Sequence, residues 1–575
     1  MSPDTLAFSP VFLPLLGAAL ILCGKAFTRG RLTTSIEYIG VFIGLALPWV
    51  AFIQLFPAMY AGAVIEGTIG GWSSSVGITY RFDGLAWLVN ILGFVVGGAA
   101  WIYSLGAGPR GPSFSAVFLI QTAALAATIM TADLFNLFVC LEVLGIASYI
   151  LVATSDKPGA SLASFSYLMV SAAAMVFFLI GLFGFYRLTG SLSYASIAQT
   201  LSSLDDQGGV TALVSLSLIV AAVAMRVAVM PLYGWLPDAH AMAPHAVSAV
   251  LSGVLIKTPL FALSRILMLT ESGMASGRLL GIAGAVTAIA AVVIALSQKD
   301  AKRLLAYHSI SQIGYIVSAW GVALSIGAQT PAGIALMAAA FIHAFYHALF
   351  KGLLFLSVGT TVDIAGDRNV YSLRSAGSLL RAAGERFPTT VITFFVGALA
   401  ISAIPPFNGF ASKIAITYHL KGTFHYYLLT AAAVGTVASF IKLSRIYWGK
   451  AEKKVTIPER IEQVLPSRKI AQLLLALLCI AGGIGAREVY GIILKVLSPT
   501  GSVPAVTIPL YSAETLIKTG LTVAAGVLLF LAAVSGRGSS LLTVIRERPR
   551  SFHGLFVSFA LGTAFMAMWL VMTGM

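Results

Sequence analysis

The chain has 575 residues, of which 58% are hydrophobic and only 10% charged, with a net charge of +15. A soluble chain of this length would carry about a quarter charged residues, so the composition excludes an ordinary soluble enzyme and points to lipid as solvent. Cys23, Cys140 and Cys479 lie far apart inside apolar runs, without the spacing of a disulfide framework or metal cluster; no glycine-rich phosphate loop or dinucleotide fingerprint accompanies them, so no cofactor is expected.

Apolar runs of about 20 residues, each able to cross a ~30 Å hydrocarbon core, recur from 8–27 to 552–573. Roughly 16 such spans are expected. The first lacks a basic start and a small-residue cleavage site and reads as a retained helix. Residues 1–110 hold spans 1–3. Within them, 59–82 is glycine-rich, and the alternation Val76-Gly77-Ile78-Thr79-Tyr80 predicts a short extramembrane hairpin. Residues 111–275 and 276–447 hold five spans each. Residues 448–575 begin with a linker rich in Lys, Glu and Pro and end with spans 14–16.

With the N-terminus placed outside, the loop lysines and arginines cluster on the inner side, around 25–31, 299–303, 368–386, 445–469 and 537–550. The outer loops hold only Arg81, Arg187, Arg278, Lys421 and Lys495. This is the positive-inside pattern of a multi-pass protein of the plasma membrane. The basic excess is thus a topology signal rather than a nucleic-acid footprint, with anionic lipid headgroups as a secondary partner.

Two spans carry prolines. Span 7 (210–237) has Pro231 and Pro237 in MPLYGWLPDAHA, and span 12 (388–418) has Pro405 and Pro406 in ISAIPPFNGFASK. Proline removes a backbone donor, and freed carbonyls survive at membrane depth only where protein or water surrounds them. The breaks lie five spans apart, so they have opposite orientations and predict an inverted repeat with an ion site between the halves.

Ionisable groups at membrane depth are costly and usually functional. Glu142 lies in span 5, Arg226 just before the span-7 break, Lys257 in span 8, His308 in span 10, His343, His347 and Lys351 in span 11, and Lys413 after the span-12 break. The three groups of span 11 are spaced by four residues and form one polar stripe. Histidine titrates near neutral pH, and a desolvated lysine beside a mobile carboxylate could load and unload a proton. Glu142, the only acid deep in a span, should pair with one of these cations. Blander readings hold elsewhere: Arg265, Lys442, Arg487 and Lys518 are expected to snorkel from helix ends, and Asp133, His240 and His245 to be solvated or capping. No third ligand accompanies the His343–His347 pair, so no metal site is expected.

The segments DLFNLFVCLEVLGIASYILVA, MPLYGWLPDAHAMAPHAVSAVLSGVLIKT, KDAKRLLAYHSISQIGY, HAFYHALFKGLLF and IPPFNGFASK resemble, in order, the motifs of the proton-conducting membrane subunits of complex I, Mrp antiporters and membrane-bound hydrogenases. The resemblance covers about 80–450. It implies an all-α membrane fold with a 14-helix core, two inverted five-helix repeats broken at helices 7 and 12, and a lysine–histidine axis along the membrane midplane. It also implies partner subunits, H⁺ as substrate, and redox centres, where they exist, in other chains; Na⁺ stays open. Two departures stand out. Arg226 occupies the position of the family's span-7 lysine and cannot itself release a proton. Ser166 stands where many members carry lysine. The half containing spans 4–8 is therefore expected to conduct poorly or to act as an electrostatic switch, whereas the half with His343, His347, Lys351 and Lys413 is intact. A largely structural subunit and a stand-alone transporter are the alternatives.

Overall fold

The computed structural model describes residues 3–72, 77–201, 206–267, 273–449, 463–498, 508–547 and 562. Among them, thirteen helices are long and apolar enough to cross a membrane. In chain order the main helices are α1 (Ser9–Phe27), α2 (Arg31–Gln54), α3 (Gly84–Ala107), α4 (Pro112–Met130), α5 (Leu134–Ala153) and α6 (Ala160–Thr189). Next come the broken α7a (Asp206–Arg226) and α7b (Trp235–Met242), then α8 (His245–Leu267), α9 (Gly273–Ser297), α10 (Ala301–Ser325) and α11 (Pro331–Ala365). The broken α12a (Thr389–Ile401) and α12b (Asn408–His419), α13 (Phe424–Ser444), α14 (Pro466–Ile484) and α15 (Ala513–Val534) complete the series. The expectation of about 16 spans also counts α10, the α12 pair and 552–573; that last run and most of the 448–469 linker lie outside the described residues.

The expected hairpin forms between α2 and α3: β1 (Ile65–Thr68) pairs antiparallel with β2 (Thr79–Phe82) in the register Ile65↔Phe82. Its exit is pinned by Asp83, which caps α3 through Ala86 N–H at 3.0 Å. The same carboxylate takes a bidentate bond from Arg265 of α8, at 2.7 and 2.8 Å. Burial alone would raise the Asp83 carboxyl, but the Arg265 guanidinium outweighs it and holds the acid well below the usual carboxylate range. Arg265 therefore does not snorkel; it is a buried partner that ties the C-terminal end of α8 to α3.

Helices α9 and α10 pack with their backbones in contact, because small residues face each other. A Cβ on Gly314 would lie 2.4 Å from Ala288 N, and one on Gly321 would lie 2.3 Å from Gly281 N. Helices in lipid associate by such close packing, not by a hydrophobic drive. Helix α11 fills the centre of the second half. Twenty-eight of its residues, from Gly333 to Ile364, are buried, His343, His347 and Lys351 among them.

The two breaks share one local geometry. In the first, Ala228 takes a positive φ of 59°, its N–H reaches Met225 O, Val229 N–H reaches Ala224 O and Leu232 N–H reaches Val229 O. In the second, Ala403 has φ 57°, and Ala403, Ile404 and Phe407 donate to Ala400, Leu399 and Ile404. Every position is offset by the same spacing. Pro237 is a correction to the expected breaks: it lies in the first turn of α7b, where proline removes no helical bond. The break is made around Pro231 alone.

Gly321→Leu should force α9 and α10 apart. Overpacking of this kind costs about 1–3 kcal/mol, and the check is a lowered unfolding temperature of the solubilised protein, with an exposed-face control such as Ile282→Leu unchanged.

Candidate membrane-embedded relay

Five lysines are at most 4% exposed: Lys257, Lys302, Lys351, Lys413 and Lys442. A buried ammonium needs compensation. No carboxylate lies within ion-pairing distance of any of them among the described residues; backbone carbonyls at helix irregularities provide it. At the second break, Ile401 O would accept from residue 405 in an unbroken helix, but Pro405 has no N–H. Lys413 Nζ takes that carbonyl at 2.8 Å. In α8 a π-turn over Leu251–Leu255 sends the Ile256 and Lys257 N–H groups to Leu251 and Val254, and Lys257 Nζ donates to Ser252 O and Gly253 O at 2.6 Å each. Lys442 caps the end of α9 through Leu296 O and Gln298 O, and Lys302 caps α7b through Ala243 O. These positions suit cations, because helix C-termini carry partial negative charge. Lys351 Nζ donates to Leu305 O of α10.

These groups join into one thread. The Ser252 hydroxyl meets the Ser309 hydroxyl at 2.6 Å. Ser309 in turn donates to Leu305 O, the acceptor of Lys351. Along α11, the rings of His343 and His347 lie nearly parallel with centroids 6.3 Å apart. His343 Nδ1 and Ser412 Oγ are 2.9 Å apart. Lys413 Nζ sits 4.8 Å over the ring of Tyr315, which is itself 5.7 Å from His343. His308 is fully buried in α10 beside Phe440, off this line. Both nitrogens of His308 and His347, and Nε2 of His343, have no protein partner among the described residues. Buried polar atoms are normally satisfied, so these imidazoles stand apart from the rest of the core.

The first half is built differently. Arg226 Nη1 lies 3.5 Å from Glu142 Oε1, and Nη2 donates to Leu141 O at 2.7 Å. The expected pair therefore exists, but Arg226 is buried while the Glu142 side chain keeps 34% of its surface open on the flank of α5. Around Arg226 stands an aromatic wall: Tyr149 meets Tyr167 edge-on at 4.6 Å, and Tyr167 stacks on Trp235 at 4.0 Å. Trp235 Nε1 donates to Met225 O at 3.0 Å, a carbonyl that also accepts from Ala228 N–H. Helix α6 bears no lysine or histidine.

Several expectations need correction. Lys442 does not snorkel; it is buried with two carbonyl partners. His240 and His245 are not solvated. His240 stacks on Phe355 at 4.8 Å, and His245 bonds Asp363 at 2.9 Å. Lys302, Arg374 and Arg468, assigned from sequence to solvated loops, are buried. Asp133, by contrast, caps α5 through Asn136 N–H at 2.7 Å, as expected. Lys518 is exposed and pairs with Glu514. The sequence reading missed Lys302, Asp363 and the serines at 252 and 412. Asp363 could have been found, because it continues the four-residue spacing of His343, His347 and Lys351 along α11.

The family of NADH:quinone oxidoreductase/Mrp antiporter transmembrane proteins matches residues 131–442, more than half of the chain. The protein belongs to this NADH:quinone oxidoreductase/Mrp antiporter family. It is 33% identical to a membrane subunit of the NADH-quinone oxidoreductase of Desulforudis audaxviator over 72% of this chain and 78% of that protein. It is 28% identical to a subunit of the Na⁺/H⁺ antiporter of Alkalihalophilus pseudofirmus over 78% of this chain and 88% of that one. The membrane-bound sulfane sulfur reductase, an archaeal respiratory complex, contains a chain with TM-score 0.74 and 26% identity, matched over 91% of this chain and 99% of its own. The family match contains both breaks and all of α11, so the thread lies within the shared core and not in an appendage.

Lys413→Leu should leave Ile401 O without a donor. A buried unsatisfied carbonyl costs about 1–3 kcal/mol. The solubilised protein should therefore unfold at lower temperature, and Lys413→Arg, which keeps a donor, should lose less in the same thermal-shift measurement.

Proposed function

We propose that this protein is a proton-translocating membrane subunit of a multisubunit antiporter or ferredoxin- or quinone-linked redox complex in the plasma membrane, and that its second half carries the protons. One observation carries this reading: the connected thread from Lys257 through Ser252, Ser309 and Lys351, and from His347 through His343 and Ser412 to Lys413. Its titratable members are desolvated, lie within the bundle, and are solvated by carbonyls that stay put when a proton leaves. Lys413, beside the second break, serves as the exit. The matching breaks support an inverted repeat in which each broken helix lines one half-channel. The relatives' names point to partner subunits and to Na⁺ as the exchanged ion in the antiporter case. The distribution of basic loops supports an N-terminus on the outer side.

In this reading the Glu142–Arg226 pair is a switch and not a carrier. Arginine keeps its proton, and the aromatic wall separates it from Lys257. Opening the pair leaves a cation uncompensated in the first half, and its field acts on Lys257. Arg226 and the wall also favour a second reading, in which the subunit is a non-conducting scaffold for partners that pump.

Lys257→Met and Lys351→Met in the intact complex separate the two. The conducting reading expects proton transport into vesicles to fall by about tenfold or more, the scale of losing a positioned acid–base group. Wild-type rates with normal assembly would establish the scaffold. Arg226→Lys is expected to raise the passive proton leak, whereas Arg226→Met is expected to abolish regulation while leaving the second-half thread intact; a pH-sensitive dye inside the vesicles reads both.

A further inference from the structure

The spacing of four along α11 does not stop at Lys351. It continues through Phe355 and Gly359 to Asp363. In a helix this row is a ridge that winds slowly round the axis. The 20-residue step from His343 to Asp363 rises about 30 Å at 1.5 Å per residue, the full depth of a hydrocarbon core. From Lys351 onward, each step of the ridge lies against a polar group of another helix. The Phe355 ring is shared: Lys351 Nζ lies 5.0 Å over it, and the His240 imidazole stacks on it at 4.8 Å. Gly359 is where His245 seats, since a Cβ there would lie 2.4 Å from His245 Cγ. Asp363 then accepts or shares a proton with His245 Nε2 at 2.9 Å. Asp363 keeps 30% of its side chain open, whereas His245 keeps 5%.

We propose that the Asp363–His245 pair is the proton port on the basic face of the second half, passing protons by way of Lys302 and His240 to Lys351. This rests on the proton-translocation reading above. The pair has the form of an entrance: an acid at the rim that exchanges with solvent, and a buried imidazole behind it. Nδ1 of His245 and Nδ1 of His240 have no protein partner among the described residues, so each ring can pass a proton onward from the side opposite its contact. Lys302, fully buried, donates to Ala243 O in the stretch of chain between the two imidazoles, and Lys351 lies over the same Phe355 ring on which His240 stacks. In the transfer itself the Asp363 carboxyl gives its proton to Nε2 of His245 and Nδ1 releases one inward; a half-turn of the ring about Cβ–Cγ then presents the unprotonated nitrogen to Asp363 for the next proton. No other reactant is consumed.

The charged and titratable groups around the port are on several elements. Arg468 of α14 lies 4.0 Å from Asp363, the neutral phenol of Tyr103 of α3 and Lys157 of the α5–α6 loop face the acid, and Lys302 and Lys157 face the imidazole. The three cations set the field in which the rim acid captures a proton; they do not replace it as carrier.

The test uses the intact complex in vesicles, with proton transport followed by a pH-sensitive dye. Asp363→Asn and His245→Asn should each slow transport about tenfold near pH 8.5, where protons are scarce, and only about twofold near pH 6.5, as expected when a rim acid–base pair is lost and mass action compensates. The exchanged pair His245→Asp with Asp363→His should recover most of the alkaline rate. Gly359→Ala, which unseats the imidazole without touching a titratable group, should reproduce the alkaline loss and serves if the polar variants assemble poorly. Lys351→Met should stop transport at every pH. Wild-type pH profiles in the port variants, with Lys351→Met inactive, would overturn the port and leave the translocation reading standing. A loss of equal size at all pH values, not rescued by the exchange, would also overturn it. Full transport in Lys351→Met would instead remove the reading on which the port rests.

Discussion

The structure depends on how a cation is held in an oily bundle without an anion beside it. A lysine paired with a carboxylate is held in place; a lysine facing backbone carbonyls is stabilised when charged but loses only hydrogen bonds when neutral. The fold makes such carbonyls available by damaging its own helices. Pro405 leaves Ile401 O free for Lys413, the α8 π-turn presents two carbonyls to Lys257, and the ends of α7b and α9 face Lys302 and Lys442. Each defect would be destabilising in a lone helix, and each is compensated by one amine.

That arrangement also explains the asymmetry between the halves. At the first break the Met225 carbonyl accepts from the Trp235 indole, a donor that never changes charge. Tyr167 stacks on Trp235 and meets Tyr149 edge-on, whereas the second half brings His343 to Ser412. The two breaks have the same backbone, but the chemistry attached to them differs: permanent polarity in one half, titratable polarity in the other. Glu142 and Arg226 form an ion pair at the flank of the first half.

Much of this was legible in the sequence. Composition, the spread of apolar runs and the location of basic residues announced a membrane bundle; paired prolines announced two broken helices; and the spacing of His343, His347 and Lys351 announced a polar stripe. What was not legible follows from distance in the chain. Whether Arg265 or Lys442 reaches solvent depends on Asp83, Leu296 and Gln298, which lie up to 182 residues away, and a helix-end position alone reads the same for a snorkelling cation and a buried cap. His245 looked like a solvated terminal residue because its partner Asp363 lies 118 residues on. Pro237 looked like a breaker because sequence does not show where the second half-helix begins; it begins two residues earlier, and the ring fits there. Serine linkers were invisible because serine is common in membrane helices for packing reasons alone.

The use of main-chain oxygens as counter-groups has an evolutionary consequence. A carbonyl cannot be mutated away, so Lys257, Lys351 and Lys413 have no partner side chain that must change in step with them. Across related sequences such lysines would drift or vanish singly, leaving no correlated column behind, whereas Glu142 with Arg226 and Asp363 with His245 would be exchanged or lost as couples. Covariation would thus trace the side-chain couples and stay silent about the lysines held by the main chain.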